Sequence, residues 1–134
     1  VIRYGYLWRR EAERSEDAAR KDRPAAIVLA APLVERAVKQ VFVLPITTRP
    51  PTVEKAVEIP AAVQQKLGLG PGLCWIVCDE TNVFRWPGFD MTPIPRSDPK
   101  AWSYGMLPPK LFEKVRALFV ECARGNRLQV IDRD

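Results

Sequence analysis

Histidine is absent from this sequence of 134 residues. Its absence removes the commonest general acid–base group and the commonest metal ligand. Ser-His-Asp and Cys-His arrangements are excluded, and with them ribonuclease chemistry run by histidine. Cysteine is scarce. Cys74, Cys78 and Cys122 form an odd set, too sparse for a disulfide framework, which fits a reducing cytoplasm. On a strand, Cys74 and Cys78 would face the same side. With no second pair and no histidine to complete a zinc set, they read as small core residues, and no metal is expected. No apolar run approaches the ~20 residues that span a bilayer. The opening Tyr4-Gly5-Tyr6-Leu7-Trp8 leads into charge and does not read as a secretory leader. The expectation is a cytoplasmic domain with no membrane partner.

What is present is an ordinary globular balance, 47% hydrophobic and 28% charged, in a length that suits one domain spanning 1–134. Thirteen prolines divide the chain into short elements. The net charge is +5, and a basic surplus favours polyanions such as RNA, DNA or anionic lipid.

Tyr4–Trp8 reads as a first short strand, aromatic and alternating. Arg9–Asp22 is dense in charge and reads as a solvated connection, either an exposed helix or a mobile loop. Ala25–Ala30 and Gln40–Thr47 are apolar runs suited to buried strands, with Pro45 marking a bulge or edge in the second. Ala56–Ile59 is a further strand. A helical turn comes next over Pro60–Leu67, opened by its proline and closed by Gly68, Gly70 and Gly72. Those glycines lack a following Lys-Ser/Thr and read as a turn rather than a phosphate loop. Cys74–Val77 and Val83–Trp86 are strands, and Pro87–Pro99 is an ordered surface loop. Leu111, Val115, Leu118, Phe119 and Cys122 then fall on one face at helical spacing after Pro109, with Gly125 as the stop. Leu128–Ile131 adds a last strand. The class is mostly β (α+β): a small barrel or curled sheet with a packed C-terminal helix.

Two segments carry a more specific signal. Arg23-Pro24-Ala25-Ala26-Ile27-Val28-Leu29 takes an arginine into a buried strand. Val43-Leu44-Pro45-Ile46-Thr47-Thr48 begins 20 residues later and ends in paired threonines. Together they resemble the signature of the MazF/PemK toxin family. Gly5–Trp8 resembles that family's first strand. Val57-Glu58-Ile59, the Leu67-Gly68-Leu69 turn and Val77–Val83 occupy the later places. Asp79-Glu80-Thr81-Asn82 and Arg85-Trp86-Pro87-Gly88 look like a divergent PemK-like branch. The resemblance covers roughly the first 85 residues. The loop ahead of Arg23 is longer than the family's and lacks its Gly-Ser-Glu-Gln turn, which leaves Glu16 as the candidate for the acidic role.

The resemblance implies a strongly bent, SH3-like antiparallel sheet that pairs as a homodimer. It also implies a cognate antitoxin whose C-terminal segment covers the substrate groove. The implied activity is metal-independent cleavage of single-stranded RNA to 2′,3′-cyclic phosphate and 5′-hydroxyl ends. Such chemistry needs alignment of the attacking 2′-oxygen and neutralisation of the phosphorane. Arg23 supplies a planar cationic fork and Thr47 a hydroxyl donor; both are carried over as catalytic. Thr48, Arg20, Lys21, Arg49, Glu16 and Trp86 are carried over as substrate-binding, and no cofactor is implied. Trp86 and Trp102 are each able to stack on bases, though burial is the expectation for both. Asp79 and Glu80 are adjacent acids of a type that binds Mg²⁺, but strand alternation points them to opposite faces, which argues against a shared metal. Two other readings compete: a non-catalytic toxin of this fold that poisons a protein such as DNA gyrase, and an RNA-binding relative that has lost cutting.

Overall fold

The computed structural model describes residues 1–6, 8, 23–33, 38–51, 55–86, 91–97 and 99–133. These form a seven-stranded, mostly antiparallel sheet with two helices, a mostly β (α+β) architecture. The strands are β1 (Ile2–Tyr4), β2 (Arg23–Leu33), β3 (Val38–Thr47), β4 (Ala56–Glu58), β5 (Trp75–Val77), β6 (Glu80–Trp86) and β7 (Gln129–Asp132). The helices are α1 (Ala61–Leu67) and α2 (Pro109–Arg124). β3 is the hub. One edge pairs with β2; the other pairs first with β6 and then with β5, which carries β4. β1 lies outside β2, and β7 runs parallel to β6. The pairing ends at β1, β4 and β7, so the described sheet stays open rather than closing into a barrel.

Both faces of β2 and β3 are covered over Ala25–Val28 and Val41–Ile46, which suits their continuous apolar runs, whereas Leu29 and Ala30, expected to be buried, are exposed. Ala25, Val41 and Val43 face one core with Tyr4, Tyr6, Trp8, Val77 and Phe84. Ala26, Val28, Leu44 and Ile46 face the other, beneath Leu111, Val115 and Phe119 of α2. Leu111, Val115, Phe119 and Cys122 are the buried residues of α2, the stripe expected from their spacing, whereas Leu118 is only half-buried. Pro45 pairs with Ala25 but sits in a gap on its other edge. The β6 ladder ends at Val43↔Asn82 and the β5 ladder begins at Ile46↔Ile76. A residue without an N–H fits where β3 changes partner.

Several boundaries differ from expectation. The first strand is Ile2–Tyr4 rather than Tyr4–Trp8, because the Tyr6 N–H donates to the Tyr4 carbonyl at 2.9 Å and turns the chain out of the ladder. Tyr6 and Trp8 are buried as anchors outside any strand. α2 stops at Gly125, yet Gly125 has φ −86° and the left-handed residue is Asn126, φ 53°. Trp86 and Trp102, expected to be buried, are 38% and 47% exposed. Trp86 lies at the far end of β6, where β7 no longer covers it, and stacks on Phe84. Within the proline-rich loop, 91–97 is tied down. Met91 bridges to Tyr4, Thr92 N–H donates to Arg3 O, and Ile94 N–H donates to Ala101 O at 2.7 Å. The charged stretch Arg9–Asp22 lies outside the described residues.

Candidate functional site

The face that carries the aromatic core ends in a cleft of about 360 Å³. Its position is set by strand alternation. Arg23 stands opposite Tyr4 across the β1–β2 ladder and therefore shares Tyr4's face. Ala25, two residues on, is opposite Pro45, and Thr47 lies two residues beyond Pro45. Arg23 and Thr47 thus leave the same face at the same end of the β2–β3 ladder. Thr47 also pairs with Trp75 of β5, which holds the strand end in place.

Beyond Thr47 the chain turns at Thr48, and the Arg49 N–H donates to the Thr47 hydroxyl at 3.1 Å. Pro50 and Pro51 stiffen the chain after Arg49. Trp8, Thr47, Arg49, Lys55, Val77 and Asp79 all line the cleft. Arg23 stands beside it on a shared wall: its guanidinium carbon lies 5.5 Å from the Trp8 ring centroid, within cation–π range. Trp8 in turn meets the edge of Tyr6 at 5.4 Å, and the Tyr6 hydroxyl donates to Glu80 at 3.3 Å. Burial, reinforced by Glu80, pushes the Tyr6 phenol well above its ordinary range, so it remains a donor. Across the cleft Lys55 Nζ is 3.6 Å from Asp79 Oδ2.

Three cations, Arg23, Arg49 and Lys55, therefore stand at or beside one cleft whose described lining holds a single acid, Asp79. A hydroxyl and two guanidinium forks suit an anionic oxygen-rich ligand.

Of the residues singled out in the sequence, Thr47 and Arg49 meet in the cleft and Arg23 joins them through Trp8. Thr48 is exposed on the adjoining turn. Glu16, Arg20 and Lys21 lie outside the described residues. Trp86 does not join the group. It lines a separate apolar groove of about 490 Å³ with Ile27, Met106, Leu107 and Phe112. Asp79 precedes β6 instead of lying in a strand, so strand alternation does not govern the pair; Asp79 stands beside Lys55, and Glu80 accepts from the Tyr6 hydroxyl.

Sequence reasoning misses Trp8 and Lys55 as site residues and weighs Asp79 only as a metal ligand. Nothing local to Lys55 marks it. The aromatic alternation around Trp8 is visible in the sequence but reads as strand packing. The cysteines are free and buried, and among the described residues no group of His, Cys, Asp and Glu could hold a metal ion. Burial raises all three thiols, Cys78 to about 12, which makes them inert core residues rather than nucleophiles. No helix among the described residues is long and apolar enough to cross a membrane. No protein-family model, no curated protein and no solved structure matches the chain.

Proposed function

We propose that this protein is a metal-independent endoribonuclease toxin of the MazF/PemK kind, cutting single-stranded mRNA in the cytoplasm and restraining growth until a cognate antitoxin covers the site. The observation that carries the reading is the meeting of Arg23, Thr47 and Arg49 at one end of the β2–β3 ladder. A basic balance of +5 supports a polyanionic substrate. In this reading the chain works as a homodimer, whose paired surface offers RNA a longer track than one small domain.

The chemistry asks little of the protein beyond geometry and charge. The substrate's 2′-hydroxyl loses its proton and its oxygen attacks the adjacent phosphorus. The P–O5′ bond breaks in line, and the departing oxygen takes up a proton, leaving a 2′,3′-cyclic phosphate and a 5′-hydroxyl. Arg23, permanently charged, stabilises the non-bridging oxygens as charge builds on phosphorus. Its stacking on Trp8 limits the directions the fork can take, which lowers the ordering cost at the transition state. Thr47 donates its hydroxyl to a second oxygen, with the Arg49 N–H donating to that hydroxyl and so orienting it. Arg49 and the exposed Thr48 hold the flanking phosphates.

The test is product chemistry. Purified protein incubated with a synthetic single-stranded RNA should release fragments ending in cyclic phosphate and 5′-hydroxyl. Intact RNA, together with broken DNA in cells expressing the protein, would instead select the gyrase-poisoning alternative. RNA bound but never cut would select the binding relative.

A further inference from the structure

The cleft has a floor and a rim of different chemistry, and the phosphoryl chemistry uses only part of the rim. The floor is apolar: Trp8 and Val77 are buried, and the prolines after Arg49 close one side. On the opposite side Lys55 and Asp79 stand together, 3.6 Å apart. Backbone bonds pin both. The Cys78 N–H donates to the Lys55 carbonyl at 2.8 Å, and the Gln129 N–H donates to the Asp79 carbonyl at 2.8 Å. Their separation exceeds an ordinary hydrogen bond, so both groups keep capacity for a ligand. Asp79 is the acid in a setting otherwise suited to phosphate, where a carboxylate repels the backbone it borders. That placement fits a group that contacts a base.

An apolar floor with a few convergent polar groups is the form of a small-ligand subsite. Single-stranded RNA presents splayed bases by their Watson–Crick edges. An ammonium beside a carboxylate offers donors next to two acceptor oxygens. Every base can satisfy that pair with one bond to each partner. Guanine alone adds a second donor adjacent to the first: O6 accepts from the ammonium while N1–H and N2–H both donate to the carboxylate. We infer that this cleft is a guanine subsite, with Lys55 and Asp79 as specificity-determining residues beside the scissile phosphate. The assignment rests on the endoribonuclease reading for its choice of RNA as ligand.

The experiment measures binding rather than cutting. Dye-labelled hexamers of 2′-O-methyl cytidine, which cannot undergo 2′-oxygen attack, carry one central guanosine, inosine or adenosine. Anisotropy at fixed salt should show guanosine bound about tenfold or more tighter than inosine, which lacks only the N2 amino group. Asp79→Asn keeps the side-chain shape but faces the amino group with an amide, and should shrink that gap to about twofold or less. Equal affinity for guanosine and inosine in the unaltered protein would overturn the assignment. So would an undiminished gap in a folded Asp79→Asn protein, or no binding of any hexamer. The inosine exchange leaves the protein untouched, so the test survives a variant that fails to fold. Cleavage of unmodified RNA, assayed beside it, separates the two claims. A protein that cuts RNA yet ignores the exchange loses only the guanine subsite. One that discriminates without cutting keeps the subsite and loses the endoribonuclease reading.

Discussion

Arg23 and Cys78 show how one side chain's surroundings decide its role. Arg23 is half-buried, its guanidinium over Trp8, so its removal has a structural as well as a chemical consequence. Arg23→Ala should slow single-turnover cleavage by roughly 10² or more, as loss of one transition-state donor does. The lost cation–π contact should lower stability by only about 0.5–2 kcal/mol. Arg23→Lys keeps the charge without the fork and should recover part of the rate. Thr47→Ala should give a milder defect of the same kind. Cleavage at the native rate by a folded Arg23→Ala protein would dismiss the catalytic assignment; rates and melts of the three variants decide it. Cys78 is governed by burial, then by Cys122 and Asp79, and its thiol is raised to about 12. Below the unfolded value of about 8.5 the thiol is neutral in both states, and its contribution to stability is fully present. As pH rises further only the unfolded chain ionises, so stability is lost progressively until the folded value is reached. Urea midpoints between roughly pH 8.5 and 11 should therefore fall more steeply for the native protein than for Cys78→Ala. Parallel slopes would mean that Cys78 is hydrated.

The elements divide the work between the sheet's two faces. α2 closes one face through Leu111, Val115 and Phe119, and this leaves the aromatic face to carry the cleft. Phe119 meets Phe42 edge-on at 6.4 Å, tying the helix to the hub strand. Phe119→Ala should cost about 3–5 kcal/mol, whereas Arg116→Ala on the exposed side should change stability by less than about 0.5 kcal/mol. Thermal melts of both variants check this, and similar melting temperatures would mean that α2 is not docked through that stripe. The stripe is legible in the sequence because 3.6-residue periodicity is a local property of the chain. The helix end is legible as a stop but not in its geometry. Gly125 is free to turn left-handed, yet the Asn126 N–H donates to Ala123 O, and Asn126 is the residue that turns. At β1 the local pattern places the strand too late, because alternation of Tyr4, Tyr6 and Trp8 continues through a turn that leaves the ladder.

At the scale of the molecule, the basic balance and the absence of histidine are what the proposed cleavage has to work with. In the proposed mechanism arginine stabilises the phosphorane without a metal, so cleavage should be unchanged in excess EDTA. Activity that disappears on chelation and returns with Mg²⁺ or Mn²⁺ would refute the mechanism. Association with RNA should weaken steeply as salt rises, because phosphate contacts release counterions. The guanine discrimination should change far less with salt, since base-edge bonds release none. The face opposite α2, with Arg23, Arg49 and Lys55 at the cleft end, is where the molecule would meet such a chain.

The sequence by itself determined the class of the fold, the stripe on α2, the strand character of the apolar runs in β2 and β3, and the exclusion of histidine chemistry. Each depends on residue identity or on spacing within one element, which local physics reads directly. Arg23, Thr47 and Arg49 were singled out through the family resemblance of the arginine-led and threonine-ended segments, not through any physical signal local to those residues. Only the tertiary structure decided which of these share a cleft. Register brings Ala25 opposite Pro45 and so carries Arg23 and Thr47 to one end of the ladder. The change of partner along β3 brings Asp79, after β5, to the same cleft. Lys55 joins them through a backbone bond to Cys78, and Trp86 is sent to a different groove. Contacts between residues far apart in the chain depend on the whole pairing pattern, and no segment of the sequence encodes that pattern alone.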